Sequence, residues 1–323
     1  MLRTRICAML GIDHPVVLGG MASGTNPPLV AAVTDAGGLG ILGVTFLSPE
    51  QQRADVDKIR ALTSGPIGLN HLLAFATEDR YAETLRLRPR VVSTAWAWPE
   101  QDLQPYVSRA HDAGALLMHM VSGVPEAGRA VRAGADIIVA QGTEGGGHVG
   151  FMGTMALVPQ VVRAVAPVPV VAAGGVADGA GLAAALALGA EGVLLGTRFL
   201  ATPEAPISDG YKRAILESDG HDTLLTEVPD IAQRRVWPGA MSRVARNRFV
   251  ERWAGREWEV RQRRSEIAAQ MQAARERNDP DEANLQMGQT AGLITAIMPA
   301  AAIVREIVAE AERIIQRLPR CLG

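Results

Sequence analysis

Apolar residues along the chain gather into short unbroken runs separated by amphipathic stretches. The runs are PVVLG (15–19), LGILG (39–43), PIGLN (66–70), VVSTA (91–95), LLMHM (116–120), IIVAQ (137–141), PVVAAG (169–174) and EGVLLG (191–196). Each is bounded by Gly, Pro or polar residues, and none alternates strictly between apolar and polar positions. Each therefore predicts a strand covered on both faces, as in a parallel sheet. The stretches between them end in a repeated phrase, seen as DAGGLG, DAGALL, RAGADI and LGAEGV. Gly37, Gly114, Gly134 and Gly189 then fall just past a helix, where the left-handed backbone suits glycine and the next strand begins at once. Eight such units in roughly 215 residues predict an α/β fold, a (β/α)8 TIM barrel, in preference to an open doubly wound sheet.

The texture changes after residue 220. Residues 243–286, beginning RVARNRFVERWAGREWEV, are charged, Arg-rich and mostly helical. With Glu interleaved among the arginines, the segment reads as a solvated helical hairpin rather than a basic binding patch. Residues 287–318 return to core composition and close in an amphipathic helix. The expected organisation is a barrel over 1–220, a mostly helical cap over 221–290, and a C-terminal helix over 291–323 that packs back on the barrel.

Composition narrows the function classes. Of 323 residues, 48% are hydrophobic and 20% charged, which excludes a disordered or fibrous chain. A formal net charge of −2 gives no field favouring nucleic acid or an anionic membrane. The apolar stretch 180–196 is interrupted by Glu191 and internal glycines, so it predicts a buried helix and strand rather than a membrane span. Cys7 and Cys321 form neither a metal spacing nor a disulfide framework, which points to a reducing cytosol. Asp13 and His14 cut the N-terminal apolar stretch too short for a signal peptide.

Two stretches match a dinucleotide-binding fingerprint in letters alone. GLGILG (38–43) fills a strand instead of leaving one, and GGGHVG (145–150) has no acidic residue at the ribose position about twenty residues on. The glycines ending the seventh and eighth strands say more. Loops at those places in a TIM barrel often hold a phosphate. Gly174 and Gly175 let backbone N–H groups approach an anion, and the amides near Gly196 with the Thr197 hydroxyl complete a shell. The run Gly145 to His148 follows the sixth strand, over the mouth of the barrel. Packing does not account for glycines at a strand's end, so we read them as letting the chain pass a flat ligand while His148 points into the cavity. An imidazole with a pKa near 6.5 suits proton transfer or stabilisation of an anion. Asn70 and Gln141 end strands at the same mouth, each able either to bind a heterocycle edge or to cap a turn. No nucleophile motif or metal-spaced His cluster is present.

Taken together, GGMASGTNPPLVAAVTDAGGLGILG, PIGLN, QGTEGGGHVG, AAGGVADG and LLGTRF resemble the FMN-dependent nitronate monooxygenases, also called 2-nitropropane dioxygenases. They are similar too to the related flavin-dependent enoyl-acyl-carrier-protein reductases, and the likeness covers nearly the whole chain. The resemblance implies FMN with its phosphate at Gly174, Gly175, Gly196 and Thr197, and Leu195 beside them. Gly20, Met21, Asn70, Gln141 and Gly146 fall at other cofactor-binding positions, His148 at the catalytic one and Gln289 at a substrate one. The implied reaction is oxidation of alkyl nitronates by dioxygen to carbonyl compounds and nitrite. The alternative is NAD(P)H-dependent reduction of enoyl thioesters or quinones, and a phosphate-binding barrel without redox activity is a third reading. The partners expected are a small-molecule substrate, dioxygen, NAD(P)H as co-substrate and a second copy in a homodimer, with no nucleic acid and no membrane. The chain departs from many members at His119-Met120, where they carry His-Lys and so a positive charge for the reduced ring. GTMALVPQV (153–161) leans toward the reductases.

Overall fold

Each of the eight apolar runs forms a strand in the computed structural model, which describes residues 2–318. The strands in chain order are β1 (Val16–Leu18), β2 (Gly40–Gly43), β3 (Ile67–Leu72), β4 (Val91–Ala95), β5 (Leu116–Val121), β6 (Ile137–Gln141), β7 (Gly147–Val149), β8 (Val170–Ala173), β9 (Gly192–Leu195), β10 (Thr223–Thr226) and β11 (Met241–Ala245). All but β7, β10 and β11 make one parallel sheet in the order β1-β9-β8-β6-β5-β4-β3-β2. A parallel bridge between Val17 and Leu39 brings its ends together, giving a TIM barrel. Gly37, Gly114, Gly134 and Gly189 have φ of +85°, +79°, +96° and +92°, the left-handed helix ends expected from the repeated phrase. GGGHVG runs into a strand and GLGILG fills one, so neither opens a helix as a dinucleotide fingerprint must.

Alternation along the strands sorts side chains between two apolar layers. Ile41, Val91, Met118, Ile137, Val139 and Val171 fill the barrel. The N-terminal helix Arg5–Leu10 closes it from below by inserting Ile6, Cys7 and Leu10 into that cluster. Val16, Leu69, Val92, Leu117 and Ile138 face the helices instead. The C-terminal helix Ala300–Arg317 presents Ile303, Val304, Ile307 and Ala311 to this outer layer, and Gly179 donates its N–H to Glu310 across the contact at 2.8 Å. Cys321 lies outside the described residues. No helix among them is long and apolar enough to cross a membrane.

The segment 221–290 carries helices Val228–Ala232, Arg248–Trp253, Glu257–Gln262 and Arg264–Glu276, together with β10 and β11. Strand β11 pairs antiparallel with β10 on one side and with β7 on the other, setting Ser242 opposite His148. The glycine-rich stretch, read in the sequence as a run past the sixth strand over the mouth of the barrel, is thus partly a strand itself. Its pairing partner comes from about a hundred residues further along, too distant for local pattern to show.

Two histidines sit in the outer layer. His71 Nε2 pairs with Thr84 Oγ1 at 2.8 Å, and His119 Nδ1 pairs with Thr94 Oγ1 at 2.8 Å. Burial, with Arg80 and Arg129 acting in the same sense, lowers their pKa values from 6.5 to about 4. The unfolded chain then binds more protons than the folded one between those limits. The stability contributed is full above about pH 6.5 and is lost as pH falls toward 4. Melting followed by circular dichroism should show Tm dropping through that window. The drop should be shallower in His119→Gln than in the parent, and an unchanged slope would show that this imidazole is not a source of the acid sensitivity.

Candidate active site

At the C-terminal ends of the barrel strands opens a cavity of about 390 Å³, within the roughly 300–1,000 Å³ common for cofactor and ligand sites. Gly20 and Met21 enter it after β1, Asn70 from β3, Met120 from β5 and Gln141 from β6. Gly174, Gly175, Gly196 and Thr197 line it after β8 and β9, while Gly146 and His148 come in from the stretch around β7. Residues 221–290 supply Asp230, Gln233, Arg235, Trp237, Arg275, Asn284 and Gln286 to the opposite wall.

Asn70 fastens three strand ends together. Its Nδ2 donates to the Gly20 carbonyl at 3.1 Å, and its Oδ1 accepts from Ser93 Oγ at 2.9 Å. A Cβ on Gly20 would come within 2.3 Å of Asn70 Cβ, so the β1 loop can pass this close only without a side chain. Gln141 is placed differently, its Oε1 buried and without a hydrogen-bond partner at the cavity wall. An unpaired buried amide costs about 1–3 kcal/mol, which a ligand N–H would recover.

The turn after β8 has the form the sequence implied. Gly174 and Gly175 take φ of +78° and +72°, and their N–H groups donate to no described residue. At Gly174 a Cβ would lie 2.6 Å from the Gly142 carbonyl oxygen. Thr197 Oγ1 accepts the Gly288 N–H at 3.0 Å and keeps its own hydroxyl hydrogen to donate. Successive free amides beside a hydroxyl make an anion-binding concavity. Glu144 braces it, accepting the N–H and hydroxyl of Thr154 at 3.0 and 2.9 Å at the start of the helix Thr154–Val165.

His148 is held on two sides. Both carboxylate oxygens of Asp230 lie 3.0 Å from its Nε2, and the Trp237 ring stacks on the imidazole at 3.4 Å with 13° between planes. Trp237 Nε1 donates to the same carboxylate at 3.0 Å. A carboxylate only accepts, so Nε2 carries a proton and Nδ1, which bonds to no described residue, is the ring nitrogen left for proton exchange.

Packing does explain part of the glycine run, contrary to expectation. A Cβ on Gly146 would meet the Gly288 amide nitrogen at 2.5 Å, so the loop lies backbone to backbone on residues 287–288. Two expected site residues fall elsewhere. Leu195 turns into the helix-facing layer because Leu194, next to it on β9, is the one that lines the cavity. Gln289 is exposed and only its backbone is engaged, donating to the Glu144 carbonyl at 2.9 Å, while its neighbour Thr290 lines the cavity. His119 is buried beneath the helices, so Met120 is the residue of that pair that faces the site. Asp230 and Trp237 went unread in the sequence, although the phrase EVPDIAQRRVWPG holds both between prolines.

A model of the nitronate monooxygenase family matches residues 3–86 and 73–310. The chain belongs to that family. It is a flavin-dependent oxidoreductase. Over 255 residues it is 40% identical to the (3aS,4S,5R,7aS)-5-hydroxy-7a-methyl-1-oxo-octahydro-1H-indene-4-carboxyl-CoA dehydrogenase of Mycobacterium tuberculosis, covering 78% of this chain and 68% of that one. A Rhodococcus jostii protein of the same name matches at 40% over 73% of this chain and 65% of its own length, so this chain spans about two thirds of these relatives. Among solved structures, FabK from Thermotoga maritima superposes with TM-score 0.88 at 34% identity over 99% of both chains. A nitroalkane oxidase from Streptomyces ansochromogenes gives 0.83 at 27%, covering 97% of this chain and 99% of that one.

The cavity fits a flavin on its own terms. It offers an unpaired amide at Gln141 for a ring edge and free amides at Gly174 and Gly175 for an anion. Gly174→Val should therefore weaken flavin binding by at least about 10-fold in a fluorescence-quenching titration, since the added side chain meets a carbonyl in a left-handed turn. His148→Ala should bind flavin as the parent does yet turn over about 10²–10⁴-fold more slowly, the range for loss of a general acid or base.

Proposed function

We propose that this enzyme uses FMN and NAD(P)H to reduce α,β-unsaturated acyl thioesters. What carries the reading is that the cavity beside His148 adjoins a second one. A second chamber of about 230 Å³ shares Ser23, Ile207, Tyr211, Arg275, Asn284 and Gln286 with the first, giving room for a long reactant. A small nitronate needs no such extension. Identity to a carboxyl-CoA dehydrogenase and to FabK, an enoyl-ACP reductase, points the same way. So does Met120 at the cavity wall, where a lysine would favour the oxidase chemistry.

Gly174, Gly175 and Thr197 would hold the FMN phosphate, with Gln141 against the ring edge. When bound, FMN carries a hydride from NAD(P)H to the β-carbon of the thioester. His148 gives the α-carbon its proton from Nδ1, and Asp230 stabilises the imidazolium that precedes this transfer. Trp237 holds the imidazole plane and keeps water off one face. The sum is enoyl thioester plus NAD(P)H plus a proton, giving saturated thioester plus NAD(P)⁺. Oxidation of alkyl nitronates by dioxygen is the second reading, favoured by the family match and the nitroalkane oxidase likeness.

Anaerobic mixing separates the two. NADH or NADPH should bleach the FMN-loaded protein within the mixing time, and crotonyl-CoA should restore the yellow absorbance. Bleaching by ethyl nitronate, with none by either nicotinamide, would give the second reading the site.

A further inference from the structure

Two arginines at the entrance make no ion pair with a described residue. The Arg235 guanidinium lies 4.7 Å over the Phe46 ring, and its side chain makes no ion pair or hydrogen bond with a described residue. Arg275, on the helix Arg264–Glu276, lines both chambers and is likewise without a side-chain partner among them. Within the Arg-rich segment Arg248, Arg252, Arg256 and Arg263 are each paired with a carboxylate at 2.5–2.8 Å, while Arg246, Arg261, Arg264 and Arg277 make no ion pair with a described residue. What sets Arg235 and Arg275 apart is that they line the cavity.

The cavity chemistry makes them more telling. Apart from His148, the charged residues lining the first chamber are Arg235, Arg275 and Asp230. Asp230 is committed to His148 and Trp237. In the second chamber the carboxylate of Asp279 accepts the Asp281 N–H at 3.1 Å. The arginines repel each other, and Arg235 is held below the usual guanidinium range by burial first, with Arg275 adding to it and Asp230 opposing. Phe46 and Ser23 place this corner beside the loops after β1 and β2, whereas the FMN phosphate has donors of its own in the free amides of the turn after β8.

We propose that Arg235 and Arg275 form an anion subsite that receives the phosphate of a phosphopantetheine-type arm, whose thioester end reaches His148. This rests on the thioester reading and adds how the carrier is recognised. Phosphate is the fitting group because guanidinium forks bind it with paired, charge-assisted hydrogen bonds. The same chemistry is present in coenzyme A, in a carrier protein's prosthetic arm and in NADPH.

The test uses FMN-loaded parent, Arg235→Gln, Arg275→Gln and the double variant, with crotonyl-CoA and crotonyl-pantetheine, which lacks phosphate. KM for crotonyl-CoA should rise about 10-fold in each single variant and about 100-fold in the double, with kcat within about 2-fold. KM for crotonyl-pantetheine should stay put, and Arg235→Lys with Arg275→Lys should recover much of the affinity for crotonyl-CoA. Calorimetric titration with coenzyme A alone reads the subsite without turnover. Weaker coenzyme A binding in the variants, in an enzyme that leaves crotonyl-CoA unreduced, would sustain the subsite and sink the thioester reading. Equal loss for both crotonyl compounds would overturn the subsite. A rise confined to the KM of NADPH would overturn it as well, assigning the arginines to the nicotinamide dinucleotide.

Discussion

The carboxylate of Asp230 is the joint on which the site depends. It takes the His148 ring on one side and the Trp237 indole on the other, although His148 lies 82 residues before it in the chain and Trp237 only 7 after. Remove that charge and the imidazole loses both its tautomer and its angle. The β7–β11 pairing brings the two parts near each other, but hydrogen bonds between backbones set position only to within the play of side chains. Asp230 converts approximate nearness into a defined ring orientation.

The barrel was legible in the sequence because every βα unit repeats the same local physics. A doubly buried strand must be apolar along its length, and the helix before the next strand must end in a left-handed residue, so both leave marks readable within a dozen positions. The same holds for the turn at Gly174 and Gly175, whose letters and strand-end place carry its meaning. Gln289 and Leu195 show the limit. A motif gives a neighbourhood, while one step along a strand or turn decides whether a side chain faces the cavity or the core. Asp230, Trp237 and Arg235 were invisible for another reason. They lie on a five-residue helix and the loop after it, and they acquire a role only when β11 pairs with a strand from the first half of the chain.

Charge in the cavity is distributed by commitment rather than by count. The Arg-rich segment reads in the sequence as a solvated face, and most of its arginines near 248–263 are paired in that way. Near the mouth the balance differs, because the one acidic side chain lining the first chamber is already engaged and the guanidiniums beside it are not. A low-dielectric wall built of Phe46, Trp96 and Trp237 strengthens the field those cations exert on anything entering. Met120, an uncharged side chain on β5, leaves the floor of the cavity without a cation, so the positive field stays with the arginines.

The pairing of β7 with β11 also bears on how the protein is made. The last barrel strand ends at Leu195, but β11 ends at Ala245, so a ribosome completes all the staves well before it supplies the partner of His148. At that stage the chain carries all eight staves but neither β11 nor the C-terminal helix Ala300–Arg317 that covers their outer layer. Synthesis therefore delivers the staves first, the strand that pairs with His148 next, and the covering helix last.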